Sequence, residues 1–410
     1  MSIKDFPGAP LFDSARHFNK MSRKEYFPPH SPTVEAFVCG IDADVTGALE
    51  DYHYTKNFLS SYSKKSQDTY DKFRGDAERL LLWAWLIQKK SIVALRRRDL
   101  EEYTDFVAKP DSRWQADVTA RRFLSVKGIR VPNDRWRPFL TIGSGKGRLN
   151  TKSWQGLFSN LSVFFNYLMA EDYALGNQIP IVKKHCPYLR QETGINKVRR
   201  LSALQWEYLL NSAIKRADDD PQHERTLFVI ASLKSLKLRI SELSERPDWS
   251  PVMSDFHRDH EDNWWFRAYG KGSKERDISI SNEYLAFVKR YRQHRCLSPL
   301  PSKDSNESII ESRVKNRAIG SRQLRNIVEQ AFDEGCHSLL ADGFEVEAAE
   351  LRAATTHWLR HTGASMEVAA GRDLAHVQAD LGHGSIRTTD ELYVDSDNME
   401  RASSAKSQEV

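Results

Sequence analysis

Cysteine is scarce in this chain. Its four cysteines, Cys39, Cys186, Cys296 and Cys336, lie far apart and form no Cys-x-x-Cys pair. They read as free, reduced thiols of an intracellular protein rather than as a disulfide framework. No run of 18 apolar residues exists, so no transmembrane helix is expected. The N-terminus, MSIKDFPGAP, has no basic segment followed by an apolar one, which argues against a secretory signal. Internal repeats and low-complexity tracts are also missing. His357 and His361, four apart, have the spacing of a metal pair, but no carboxylate or cysteine stands nearby at ligand spacing. Neither a metal nor any other cofactor is therefore expected.

What is present is enough for two domains with real cores. The 410 residues are 40% hydrophobic and 29% charged. The net charge is only +5, but it is unevenly spread. Residues 64–200 carry 27 Lys and Arg against 14 Asp and Glu, a net +13, whereas residues 201–410 carry 28 against 34, a net −6. A basic middle beside a mildly acidic C-terminal half points to a segment that tracks a polyanion, with nucleic acid first in line.

In order along the chain, residues 1–45 are rich in proline and poor in periodicity, and read as an extended arm. Residues 46–185 read as a helical domain. Ser66 precedes an amphipathic pattern through Tyr70, Phe73, Ala77, Leu80, Leu81 and Ala84. Further helices are expected over 100–107, with Asp99 as cap, over 116–126, and over 151–169, with a Pro/Gly/Arg-rich connector over 128–147. Basic edges occur at Arg96, Arg97 and Arg98, at Arg121 and Arg122, and at Lys146, Arg148 and Lys152. Such cations neutralise phosphates and give affinity without sequence information. Residues 186–200 read as a basic linker. A second domain, 201–398, opens with Ser202 as a helix cap. It continues through a helix over 226–237, a hairpin with strands over 263–269 and 275–280, and a polar loop over 298–320. A helix over 321–335 follows, then helices within 355–395. Residues 399–410 read as a mobile tail. The fold class is thus mainly α with a small β-hairpin or sheet.

The second domain holds the chemistry. Taken singly, each candidate has an ordinary explanation. Arg239 and Glu242, three apart, make a helix-surface ion pair; Lys271 is a solvated lysine at a hairpin tip; His357 is a core histidine; His383 closes a helix after Leu-Gly; Tyr393 is a core tyrosine. Taken together and in order, the strings LRISEL (238–243), YGKGSKERDISI (269–280), HWLRHTGASM (357–366) and LGHGSIRTTDELY (381–393) resemble the tyrosine recombinases, the phage integrase family. The resemblance extends over 64–395. It implies an N-terminal helical, SAM-like core-binding domain and a C-terminal integrase-type catalytic domain.

The resemblance further implies a site-specific recombinase that cuts and rejoins double-stranded DNA without a metal. The route runs through a 3′-phosphotyrosine and a Holliday junction, to integrate, excise or resolve a mobile element. Tyr393 would be the nucleophile. Arg239 and Arg360 would hold the non-bridging oxygens. Lys271 would protonate the leaving 5′-oxygen, with Lys274 beside it as a DNA contact. His357 would act on the tyrosine proton and His383 would donate to the phosphate. Glu242 would orient Arg239. A homo-tetramer on paired sites, accessory DNA-bending proteins, and a bacterial, cytoplasmic, nucleoid-associated setting complete the expectation. A type IB topoisomerase shares this chemistry; the basic helical domain ahead of the site favours the recombinases. Two departures stand out. His383 and Tyr393 are ten apart where the family usually has nine, and Lys237-Leu238 precedes Arg239 where smaller residues are usual.

Overall fold

The computed structural model describes residues 6–20, 25–28, 31–64, 66–141, 149–189, 199–246, 248–270, 275–312 and 319–382. The chain divides into two compact units, 1–193 and 194–410.

The N-terminal unit is built from α1 (Ala15–Phe18), α2 (Pro32–Asp44), α3 (Ala48–Ser63), α4 (Gln67–Trp83) and α5 (Arg97–Ala108), then short strands β1 (Gln115–Ala116), β2 (Phe123–Val126), β3 (Ile129–Pro132) and β4 (Phe139–Leu140), then α6 (Thr151–Ala170) and α7 (Ile179–His185). Ser66 caps α4 by accepting from the Thr69 N–H, as its sequence implies. One aromatic-rich core runs through these helices, with Trp83, Trp85, Phe158, Phe164 and Phe165 buried. The aromatics of α6 are core residues. Fully buried Asp51 on α3 knots the unit. It accepts from Trp85 Nε1 at 2.9 Å, Ser91 Oγ at 2.8 Å, the Ile92 N–H at 3.0 Å and the Tyr173 hydroxyl at 2.7 Å.

Two expectations are corrected here. The described part of residues 1–45 is not an extended arm. Leu11, Phe12, Ala15, Phe18, Val34 and Val38 enter the core. The Leu11 and Phe12 N–H groups donate to the buried Glu78 carboxylate, and Arg130 forks onto Asp13 at 2.7 and 2.9 Å. Pro32, one of the prolines of this stretch, sits in the first turn of α2, where a missing N–H costs nothing. Residues 116–126 are not a helix either. Phe123–Val126 pairs antiparallel with Ile129–Pro132 across Lys127 and Gly128. Both turn residues have positive φ, 50° and 82°, the geometry of a two-residue turn that matches strand twist.

The C-terminal unit runs α8 (Ala203–Asp219), α9 (Glu224–Ser235), α10 (Ile240–Leu243), β5 (Phe256–Arg258), β6 (Trp264–Tyr269), β7 (Glu275–Ser279), α11 (Asn282–His294), α12 (Ser321–Ala341), α13 (Glu345–Arg352), α14 (Thr356–Ala369) and α15 (Leu374–Leu381). Ser202 and Gln205 form the capping box that opens α8. The three strands make one antiparallel sheet in the order β5-β6-β7. Its inner face, Phe256, Phe266, Ala268 and Ile278, is buried with α9, α11 and α12 in a single core. The loop over 298–320, expected to be polar, buries Ile309, Ile310 and Ile319. All four cysteines are free, with Cys186 and Cys336 buried. Among the described residues, no helix is long and apolar enough to cross a membrane.

Candidate active site

Glu242, on the short helix α10, is the centre of the site. It is fully buried. A lone buried carboxylate would be costly, so its partners decide what it is for. Arg276 on β7 forks onto it, Nη1 to Oε1 and Nη2 to Oε2, each at 2.9 Å. The Arg239 backbone N–H donates to Oε2 at 2.8 Å and Arg239 Nη1 to Oε1 at 2.9 Å. Arg360, buried on α14, lies 3.8 Å from Oε2. Burial by itself pushes the Glu242 carboxyl up, but the Arg276 hydrogen bonds and charge, the Arg239 N–H and the Arg360 charge bring it below the usual carboxylate range.

Three guanidiniums thus surround one carboxylate, an excess of two positive charges. Arg239 keeps 34% of its side chain exposed, so the excess faces outward there. Arg360 is anchored by Nη1 to the Lys237 carbonyl at 2.5 Å and by Nη2 to the Leu381 carbonyl at 2.7 Å. Burial, then the charge of Arg239, lowers its pKa to about 9, which leaves it a cation at pH 7.

His357 lies one turn before Arg360's position on α14, on the exposed side. Its ring meets His361 edge-on at 4.6 Å between centroids. Partial desolvation first, then the positive charges of His361, Arg360, Arg239 and Arg199, push its pKa down to about 4. It is a neutral imidazole at pH 7, able to accept a proton.

A second buried network stands beside the first. Lys237, fully buried with φ 51°, reaches Glu367 at 2.7 Å and Asp380 at 3.3 Å. Arg372 pairs with the same two carboxylates. Ser279 of β7 donates to Asp380 through its N–H at 3.3 Å and its hydroxyl at 3.1 Å. Two cations face two carboxylates, so this network is neutral. It accounts for Lys237, the unusual residue ahead of Arg239.

Arg239, Glu242, Arg360 and His357 therefore come together from α10 and α14. Lys271, Lys274, His383 and Tyr393 lie outside the described residues, and so does the ten-residue spacing from His383 to Tyr393. Lys146 and Arg148 lie outside them too. Of the expected phosphate contacts, Arg96, Arg97, Arg98, Arg121 and Lys152 are exposed. Arg97 and Arg98 pair along α5 with Glu101 and Glu102 at 2.8 and 3.5 Å, contacts worth little at a surface. Arg122 is a correction. It pairs with buried Glu78, donates Nε to the Phe12 carbonyl at 3.1 Å and stacks 4.6 Å over Trp136. It pins the N-terminal segment rather than offering a phosphate contact.

Sequence reasoning gave no role to Arg276, Lys237, Asp380 or Gly363. A signal existed for Arg276. It shares a strand face with inward-facing Ile278, two residues on. Gly363 had none. It packs α14 against α9 so closely that a Cβ there would run into the Lys234 carbonyl.

A cluster of three guanidiniums on one buried carboxylate, beside a neutral histidine, thus sits in a helical unit with a three-stranded sheet. The sequence profile of the phage integrase family matches residues 199–400. The chain is 26% identical over 241 residues to tyrosine recombinase XerC of Alcanivorax borkumensis, covering 58% of this chain and 67% of that one. It is 25% identical over 312 residues to tyrosine recombinase XerD of Rickettsia conorii, covering 76% and 90%. The fold is shared with XerH site-specific recombinase bound to a palindromic difH substrate in a post-cleavage complex (TM-score 0.57, 15% identity, 96% and 94% covered). It is also shared with the Tn1549 transposon integrase bound to circular intermediate DNA (TM-score 0.52, 16% identity, 85% and 97% covered). Residues 199–400 carry the phage integrase profile, and together with the XerC and XerD similarities they support a tyrosine recombinase, an enzyme of site-specific DNA recombination.

Proposed function

We propose that the chain cleaves one DNA strand at a time by attack of Tyr393 on a phosphodiester, giving a 3′-phosphotyrosyl link and a free 5′-hydroxyl. The link conserves the bond energy for rejoining and leads through a Holliday junction. Arg239 and Arg360 hold the non-bridging oxygens and stabilise the charge of the pentavalent state. Lys271 protonates the leaving 5′-oxygen, His357 takes the tyrosine proton, and His383 donates to the phosphate. Glu242 orients Arg239. The observation that supports this reading is the uncompensated positive charge around Glu242, aimed outward at Arg239.

In the same reading, residues 46–185 grip the double helix. Arg96, Arg97, Arg98, Arg121, Lys146, Arg148, Lys152 and Lys274 neutralise phosphates, and residues 201–398 carry the chemistry. Four copies act on paired sites of a mobile element, with accessory DNA-bending proteins as further partners, in a bacterial cytoplasm at the nucleoid. The relatives that support a DNA substrate are the DNA-bound XerH and Tn1549 integrase.

The test uses a nicked duplex that traps the covalent state. Wild-type protein should become linked to the 3′ end of the cut strand. Tyr393→Phe should bind the same duplex and form no adduct. An adduct that persists in that variant would overturn the assignment.

A further inference from the structure

Arg276 takes no part in the chemistry proposed above, yet it gives Glu242 as many hydrogen bonds as Arg239 does, two each. Its donors are turned inward. Nη1 and Nη2 lie on Glu242, and Nε donates to the Asp380 carbonyl near the end of α15 at 2.7 Å. Only 11% of its side chain is exposed. The chain makes room for it at Gly382, whose φ is 62° and where a Cβ would stand 2.7 Å from Arg276 Cδ. A guanidinium so committed cannot also grip a phosphate.

Its effect on its neighbour is different. A carboxylate offers about four lone-pair sites, and a buried one must fill them. Arg276 fills two. The remaining partners of Glu242 are the Arg239 N–H, Arg239 Nη1 and the more distant Arg360. Arg239 needs to spend only one guanidinium nitrogen on Glu242. Among the described residues, no hydrogen bond engages its Nε or Nη2. Were Arg276 absent, the buried carboxylate would lack two donors, and Arg239 is the nearest cation with donors to turn inward.

We propose that Arg276 is a positioning residue: by saturating Glu242 it keeps the guanidinium of Arg239 turned outward, with its fork available to a non-bridging phosphate oxygen. The inference rests on reading Arg239 as a phosphate clamp. Holding β7 against α10 for folding alone is the competing role, and a charge-specific measurement separates the two.

The experiment compares single-turnover cleavage of two duplexes, one with the natural scissile phosphate and one with a methylphosphonate, which is neutral and needs no cationic clamp. On the phosphate, Arg276→Gln should be slower than wild type by roughly 10- to 100-fold, the scale on which partners that orient a primary contact act. On the methylphosphonate that ratio should fall towards one, as it should for Arg239→Ala. Arg276→Lys keeps the charge but not the fork; it should be intermediate on phosphate with the same collapse, and it carries the test if the Gln variant does not fold. If the Arg239→Ala ratio collapses and the Arg276 ratios are equal on both duplexes, Arg276 acts on the fold alone and the proposal is overturned. If the Arg239→Ala ratio does not collapse, the clamp reading falls and this inference falls with it.

Discussion

At the scale of single residues, charge context sets what each side chain can do. The His357 imidazole has an ordinary value of 6.5, and its surroundings hold it near 4. In the DNA-free protein its NMR titration should therefore show a midpoint well below 6.5, and a midpoint at or above 6.5 would contradict the geometry. Between those values the unfolded chain binds the proton and the folded one does not, so stability rises with pH across that window. The contribution of His357 is fully present above 6.5 and is lost as the pH falls towards 4. The two arginines should part company under substitution. Arg239, a third exposed, should lose cleavage by ~10²–10³ as alanine with a modest change in melting temperature. Arg360, buried and bonded to two carbonyls, should lose both activity and roughly 3–5 kcal/mol of stability in denaturant titration.

Elements succeed or fail at their contacts. Helix α14 carries His357 and Arg360, brings Arg360 to 3.8 Å from Glu242 of α10, and lies close against α9. Gly363 makes that approach. Gly363→Ala adds one methyl where a backbone carbonyl stands, so the helices must part. A loss of about 1–3 kcal/mol is expected, read as a lower denaturation midpoint, and cleavage should fall with it because Arg360 moves off the Lys237 carbonyl. The strands illustrate the converse. Alternation in β7 turns Arg276 and Ile278 to one side and Glu275 and Asp277 to the other, so a strand pattern already separates the inward-facing arginine from the solvated carboxylates. The β2–β3 hairpin stands where a helix is expected over 116–126, because the apolar residues Phe123, Leu124 and Val126 lie in a strand paired with Ile129–Pro132. The Lys127-Gly128 turn that defines it is local: both residues take positive φ.

For the whole molecule, the distribution of charge separates binding from folding. DNA affinity should fall steeply with salt, and removing one phosphate-contacting cation should lower the slope of log K against log salt by about 0.9. Arg98, 90% exposed and paired at the surface with Glu102, is such a candidate. Arg98→Ala should flatten the salt dependence and leave melting unchanged. Arg122→Ala should do the reverse, lowering the melting temperature by freeing buried Glu78 and the N-terminal segment. The sequence alone determined the helical class, the caps at Ser66 and Ser202, the hairpin and the order of LRISEL, YGKGSKERDISI, HWLRHTGASM and LGHGSIRTTDELY. Those features are local: periodicity, capping and motif spacing are written in neighbouring residues. Tertiary structure alone decided that Glu242 is shared by Arg239, Arg276 and Arg360, that Lys237 is neutralised by Glu367 and Asp380, and that Leu11, Phe12, Ala15, Phe18, Val34 and Val38 belong to a core. Each of these depends on groups far apart in the chain meeting where water is excluded, and no local pattern specifies which charge will be buried against which.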